Sequence, residues 1–120
     1  MSSSAKSVFV FAIYLVLLGI TLLVMPNVML TLFAYPTTEE VWIRVVGMLL
    51  VLLAFYYIQA ARRELTDFFQ WTVYARASVI LFLIAFVVLD LARPILILFG
   101  AVDLLAALWT EATLRSSREA

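Results

Sequence analysis

Long apolar stretches separated by short polar connections form the dominant pattern of this chain. A helix that crosses a bilayer needs about 20 mostly apolar residues. Four stretches meet this requirement and predict membrane-spanning helices at about residues 8–25, 41–61, 68–89 and 94–114. The first carries no charged residue, the second and third carry one arginine each, and the fourth carries two carboxylates. The pattern therefore predicts four spans.

The connections between these stretches are short. Residues 27–35 are apolar but too few to cross a bilayer, and prolines flank them, so a short interfacial helix or turn is expected there. Residues 62–67 and 90–94 leave room only for tight turns, which favour antiparallel helical hairpins. The predicted fold is an all-α integral membrane four-helix bundle with up-down hairpins.

Composition supports a lipid environment for the whole chain. Of the 120 residues, 67% are hydrophobic and 13% are charged, whereas about 25% of residues are charged in soluble domains. A soluble fold of this size could not bury so much apolar surface. We therefore expect residues 1–120 to form a single membrane domain, with residues 8–25 as an uncleaved span, because that apolar run exceeds the ~7–15 residues of a signal peptide.

The charged residues predict an orientation and exclude some chemistry. The chain has no cysteine or histidine, which excludes disulfides, a cysteine nucleophile and the usual haem or zinc ligation, so we expect no cofactor. Its formal net charge is zero, so we expect no nucleic-acid partner. In a four-span arrangement, the positive residues of the loops and termini are unequally divided between the two sides of the membrane. Arg93 lies on one side, and five positive residues lie on the other: Lys6, Arg62, Arg63, Arg115 and Arg118. By the positive-inside rule, both termini are expected in the cytoplasm.

Four ionisable residues lie inside the predicted spans: Arg44, Arg76, Asp103 and Glu111. Each costs about 2.5–3.5 kcal/mol at the centre of a span, so such groups usually face the bundle interior and pair with one another. Folding the chain about residues 90–94 places Arg76 opposite Leu108 or Trp109. With a helix rise of ~1.5 Å per residue, Glu111 then lies within about 5 Å of the level of Arg76 along the helix axis, and Asp103 lies within about 8 Å of that level. Arg44 is expected to reach Asp103 from the second span.

Two interpretations of this ionic cluster stay open. The pairs can serve only to fix the order and rotation of the helices. Alternatively, they line a cavity for a polar headgroup, a quinone-like ring or an ion, because intramembrane charges commonly mark functional sites. Five other polar side chains are candidates for the lining of such a cavity: Tyr14, Tyr56, Gln59, Tyr74 and Thr110.

Four segments resemble a known group of membrane proteins. They are YLVLLGITLLVMP at 14–26, WIRVVGMLLVLLAFYYIQAARREL at 42–65, FFQWTVYARASV at 68–79 and GAVDLLAALWT at 100–110. Together they resemble small bacterial four-span proteins of the DoxX-like kind and related families of unknown function. The resemblance implies a four-helix bundle in the inner (plasma) membrane. Some DoxX-like members are linked to quinone or thiol-stress redox systems, but this chain has no cysteine or histidine to form a redox centre.

These observations predict a non-enzymatic integral membrane protein that is an accessory subunit or binds a small lipophilic molecule such as a quinone or a lipid. Assembly into a homo-oligomer or a larger membrane complex stays open. One alternative is a small oligomeric transporter, although small multidrug exporters carry their proton-coupling acid in the first span and residues 8–25 contain none. Another is a membrane enzyme or a redox accessory protein of DoxX-like type, for which the sequence offers no nucleophile–base pair or cofactor motif.

Overall fold

The computed structural model describes residues 1–119, and of residue 119 the backbone alone. This part of the chain is all-α and contains no β-strand. Its helices are α1 (Ser3–Val24), α2 (Pro26–Leu32), α3 (Trp42–Arg62), α4 (Thr66–Val88) and α5 (Ile97–Glu119), and a 3₁₀ turn at Pro94–Leu96 leads into α5. The predicted all-α class is confirmed.

Four helical segments are long and apolar enough to cross a membrane, namely Ser3–Val24, Trp42–Arg62, Thr66–Val88 and Pro94–Arg118. The four predicted spans fall within or close to these segments, which indicates a multi-pass membrane protein. The first helix begins earlier than its apolar run, because the Ser2 hydroxyl accepts a hydrogen bond from the Ala5 N–H at 3.1 Å and caps the helix. Helix caps of this kind extend a span into polar sequence that hydropathy does not detect.

The apolar segment between the first two spans forms the short helix α2. Its first residue is Pro26, a residue that suits the first turn because it lacks an N–H that would stay unbonded there. The helix ends before Ala34, whose φ of 58° reverses the backbone direction. The Thr38 N–H donates to the Asn27 side chain at 2.9 Å and holds the following loop against the helix. The interfacial position of α2 stays a prediction.

The chain divides into two compact units, Met1–Val8 with Ala60–Ala120 and Phe9–Gln59, which we call the first and second unit. In the second unit, α1 and α3 meet at two glycines. A Cβ atom added to Gly19 would lie 2.8 Å from the Gly47 carbonyl oxygen, and one added to Gly47 would lie 2.6 Å from the Gly19 carbonyl oxygen. Glycine at both positions lets the two backbones touch, as in many membrane helix pairs.

In the first unit, α4 packs against α5. A Cβ atom added to Gly100 would lie 2.8 Å from the Cα of Ile80, so these helices also approach closely. Further along, the Gln70 side chain donates to Glu111 at 2.9 Å. Later residues of α4 therefore meet earlier residues of α5. The single membrane domain proposed from the sequence stays a prediction.

Large apolar side chains cover the exposed surface of the spanning helices. Leu17, Leu81 and Leu105 expose 63%, 66% and 66% of their surface. A surface of this kind would be unstable in water but is expected where lipid is the solvent. The buried polar residues described below are therefore the exceptions that need a physical account.

Candidate functional site

Arg76 of α4 is the most deeply buried charged side chain among the described residues, with 2% of its surface exposed. Its Nε donates to the Thr72 carbonyl oxygen at 3.2 Å. Its Nη2 donates to the Thr72 hydroxyl at 3.0 Å and to the Thr110 hydroxyl at 2.9 Å. Thr72 lies one turn before Arg76, in the direction toward which helical side chains point. The helix itself therefore orients the guanidinium.

The Thr110 hydroxyl extends this arrangement to α1. It lies 2.7 Å from the Ser7 hydroxyl, and both side chains are fully buried. Ser7 donates its only hydroxyl proton to the Ser4 carbonyl oxygen at 2.7 Å, so Thr110 must donate to Ser7. Arg76, Thr72, Thr110 and Ser7 form what we call the buried hydroxyl network, in which donation runs from the guanidinium through two hydroxyls to a backbone carbonyl.

The buried hydroxyl network gives the Nε and Nη2 atoms of Arg76 acceptors that carry no charge. Arginine stays protonated in proteins, and its acceptors on Thr72 and Thr110 are neutral oxygen atoms. Hydrogen bonds to neutral acceptors offset only part of the cost of burying a cation.

The Asp103 carboxyl group of α5 lies within electrostatic range of Arg76. The contact between Ile80 and Gly100 defines the register of α4 against α5. Arg76 lies four residues before Ile80 and is therefore level with Leu104, about 1.5 Å along the axis from Asp103. The Asp103 side chain is only partly buried. The structure thus places a partly accessible carboxyl group on α5 at nearly the same level as the buried guanidinium of α4.

This register differs from the one expected from the sequence, which placed Arg76 opposite Leu108 or Trp109. The chain turns back earlier than the midpoint of the predicted loop. Leu91 already donates its N–H to the Phe86 carbonyl oxygen at 2.8 Å, so the residues after α4 fold back at once. The shift of about four residues, or ~6 Å, moves Arg76 closer in level to Asp103 and farther from Glu111.

Glu111 has partners that the sequence analysis did not identify. It accepts hydrogen bonds from Gln70 at 2.9 Å and from Arg115 at 2.9 Å, and Arg118 lies 3.5 Å away. The two arginine side chains are 70% and 61% exposed, and that of Glu111 is 20% exposed. These ion pairs lie toward the end of α5, and exposed pairs contribute little to stability.

Arg44 of α3 caps a helix in the second unit. Its Nη1 donates to the carbonyl oxygens of Leu23 at 2.6 Å and of Val24 at 3.4 Å. These carbonyls end α1, where four C=O groups lack a helical partner and the helix dipole favours a cation. This contact explains Arg44 as a structural residue. Its predicted approach to Asp103 stays a prediction.

The five polar side chains predicted to line a cavity have different environments. Thr110 is fully buried and belongs to the buried hydroxyl network. Tyr14 is partly buried, with its ring 5.5 Å from that of Phe11. Tyr56 and Tyr74 expose 62% and 67% of their surface, and Gln59 is also exposed. Of these five, Thr110 contacts Arg76 directly.

Sequence reasoning missed Ser7 and Thr72, which complete the network. Thr72 could have been found, because a threonine four residues before an arginine lies on the same helix face. Ser7 carried no comparable signal, because it lies in the polar N-terminal segment, 103 positions from Thr110. Among the side chains of residues 1–118, no group of three or more acidic, histidine or cysteine residues is placed to hold a metal ion.

Comparison with known proteins adds no family assignment. No protein-family model, no curated protein and no solved structure matches this chain. The function must therefore be argued from the residues of the chain itself.

Proposed function

We propose that this protein is a non-enzymatic integral membrane protein that binds the polar group of a small lipophilic molecule beside Arg76 and Asp103. The observation that carries the proposal is the position of Arg76, 2% exposed within an apolar spanning helix and within electrostatic range of the partly buried Asp103. Such a protein would act alone or as an accessory subunit of a larger membrane complex.

The energetic cost of Arg76 favours a functional role. Replacing a buried ion pair with apolar residues of similar volume is often neutral or even stabilising. Helix packing alone would therefore be served equally well by apolar residues at both positions, Arg76 and Asp103. A charged residue retained in a membrane span is by default a candidate for ligand or ion binding. This reasoning favours binding over a purely structural pair.

The geometry favours a particular ligand chemistry. The hydroxyls of Thr72 and Thr110 hold the guanidinium in one orientation, so the positive field at Asp103 is fixed in direction. Asp103 is partly accessible and accepts hydrogen bonds when ionised. A lipophilic molecule with a hydroxyl group, such as a quinol-like ring or a lipid headgroup, would donate to Asp103 while its apolar part remains among the spans.

The finer features of the architecture belong to the same proposal. The two close helix contacts, at Gly19 with Gly47 and at Ile80 with Gly100, support an up-down four-helix bundle. The distribution of Lys and Arg supports an inner-membrane location with both termini in the cytoplasm. The segments at 14–26, 42–65, 68–79 and 100–110 support a DoxX-like origin.

Mass spectrometry of small molecules retained by the gently purified protein tests the proposal. We expect a lipophilic compound with a hydroxyl or carbonyl group to co-purify with the wild type. Asp103→Asn keeps the side-chain shape but removes the charge, and it should release the compound. Glu40→Gln removes a carboxylate outside the spans and should retain it. Thermal unfolding followed by circular dichroism verifies that each variant is folded.

Two results would contradict the proposal. One is a wild-type protein that carries no lipophilic compound under conditions that preserve bound lipid. The other is a folded Asp103→Asn protein that retains the same compound as the wild type, which would make Asp103 and Arg76 a purely structural pair.

A further inference from the structure

A separate cavity of about 310 Å³ lies in the first unit, away from Arg76. Residues from three helix ends and one connection line it, among them Ser2, Ser4, Glu64, Asp67, Ser117 and Arg118. A neighbouring cavity of about 440 Å³ shares the three serines. Side chains of α1, the α3–α4 connection, α4 and α5 therefore converge on one small space.

The position of this cavity along the helices places it at the membrane surface. Ser2 precedes α1, Asp67 lies in the first turn of α4, and Arg118 lies in the last turn of α5. These are ends of segments that are long enough to cross a bilayer. Since span ends lie at the level of lipid headgroups, the cavity opens where a headgroup is the most abundant small molecule.

The lining combines two carboxylates, one guanidinium and several hydroxyls. Ser2 donates its backbone N–H to both carboxylate oxygens of Glu64, at 3.2 and 3.0 Å. Hydrogen bonds from the side chain and backbone of Ser2 lower the pKa of Glu64, which keeps this carboxylate ionised. Ser4 is nearly fully buried, and its hydroxyl lies 3.1 Å from that of Ser2.

This charge pattern selects among the headgroups of a membrane. The lining carries two carboxylates and one guanidinium, and the N-terminal ammonium also acts on Glu64, so the balanced charge suits a zwitterionic headgroup better than one with net negative charge. Quaternary ammonium groups carry no N–H and are usually bound by aromatic cages, but the residues that line this cavity include no aromatic side chain. A primary ammonium group has three N–H donors, which suit carboxylate and hydroxyl acceptors.

We propose that this cavity binds the headgroup of a phospholipid with a primary ammonium group, of the phosphatidylethanolamine class. The ammonium lies at Glu64 and Asp67, and the phosphate lies at Arg118 and the serine hydroxyls. Arg118 is free to take this role because its contact with Glu111 is long, at 3.5 Å, and its side chain is 61% exposed. The site is independent of the binding proposed at Asp103.

Native mass spectrometry of the full-length protein in nanodiscs of defined composition tests this site. We expect the wild type to retain phosphatidylethanolamine in preference to phosphatidylcholine and phosphatidylglycerol. The double variant Glu64→Gln/Asp67→Asn should lose the preference over phosphatidylcholine. Arg118→Gln should weaken retention of the ethanolamine lipid by about fivefold, the factor expected for a partly exposed charge contact.

Matched controls separate a site from a general charge effect. Arg115→Gln removes an arginine that also pairs with Glu111 but does not line the cavity, so lipid retention should not change. Ser117→Trp fills the cavity without removing a charge and should also expel the lipid. Asp103→Asn should leave this lipid bound even if it releases the ligand of the proposed function.

Three results would overturn the assignment. The first is equal retention of the three lipids by the wild type. The second is an equal effect of Arg115→Gln and Arg118→Gln. The third concerns the source of the headgroup: water-soluble glycerophosphoethanolamine that binds more tightly than the intact lipid would assign the cavity to a soluble ligand instead of a membrane lipid.

Discussion

Replacing Thr110 with valine tests the buried hydroxyl network directly. Valine has nearly the same shape, so packing is preserved and only the hydroxyl is lost. Thr110 is fully buried, accepts a hydrogen bond from Arg76 at 2.9 Å and lies 2.7 Å from the Ser7 hydroxyl. Thr110→Val therefore removes an acceptor from a buried cation and a donor from a buried hydroxyl in one step.

The expected loss of stability follows from these two contacts. Hydrogen bonds between side chains within membrane proteins contribute about 0.6 kcal/mol on average and up to about 1.7 kcal/mol. The neutral contact with Ser7 belongs near the average, and the contact with the charged Arg76 belongs near the upper value. We therefore expect Thr110→Val to lower the free energy of unfolding by about 2 kcal/mol.

The assay is reversible unfolding by SDS in mixed micelles, followed by circular dichroism. Thr113→Val is the matched control on the same helix, because the Thr113 hydroxyl donates to the backbone carbonyl of Thr110, at 2.7 Å, within α5. Such a bond within one helix adds little stability, so this variant should change the free energy by less than about 0.5 kcal/mol. Ser7→Ala should cost less in the Thr110→Val background than in the wild type, because the shared bond is already absent.

Equal losses from Thr110→Val and Thr113→Val would refute the reasoning. Strictly additive losses from Ser7→Ala and Thr110→Val would also refute it, because the two hydroxyls would then not be coupled. In either case, the contacts between Arg76, Thr110 and Ser7 would not hold the helices of the first unit together.

Three other substitutions test the remaining contacts. Gly47→Ala should lower the free energy of unfolding by about 1–3 kcal/mol, because the new Cβ would lie 2.6 and 2.7 Å from backbone atoms of α1. Arg76→Met should lower it by about 3 kcal/mol, and adding Asp103→Asn should restore part of that loss by removing the uncompensated charge. Hydrogen bonds from Ser2 lower the pKa of Glu64. These hydrogen bonds should contribute less than about 1 kcal/mol to the free energy of unfolding at neutral pH, and this contribution should be lost as the pH falls through the lowered pKa. The Glu64→Gln protein should show no such acid-dependent loss.

Each of these predictions has a contradicting outcome, and two of them have a control variant. Ile20→Ala changes a residue of α1 that is 46% exposed and should leave the free energy of unfolding nearly unchanged. A Gly47→Ala protein that is as stable as the Ile20→Ala protein would contradict the close helix contact. Full additivity of the changes at Arg76 and Asp103 would show that the two charges are not coupled. A Glu39→Gln protein should keep the acid-dependent loss of the wild type, and its disappearance there would exclude Glu64 as the cause.

Sequence alone determined the class of the protein and the positions of its spans. Lipid as a solvent requires long apolar segments whose backbone hydrogen bonds are satisfied within each helix, and this requirement can be read one segment at a time. The sequence also identified Arg76 and Asp103 as charged residues that need a partner of opposite charge inside the spans. Helix ends were less predictable, because a local cap such as the hydroxyl of Ser2 extends α1 beyond its apolar run.

Only the tertiary structure decided which polar groups meet. The partners of Arg76 depend on the rotation and register of α4 and α5, which the contact of Gly100 with Ile80 defines. Ser7 joins Thr110 across 103 positions of sequence, and no spacing rule connects residues so far apart. Hydrophobicity is a property of each segment, whereas a hydrogen-bonded network is a property of how close-packed helices align, so the first can be read from sequence and the second requires the fold.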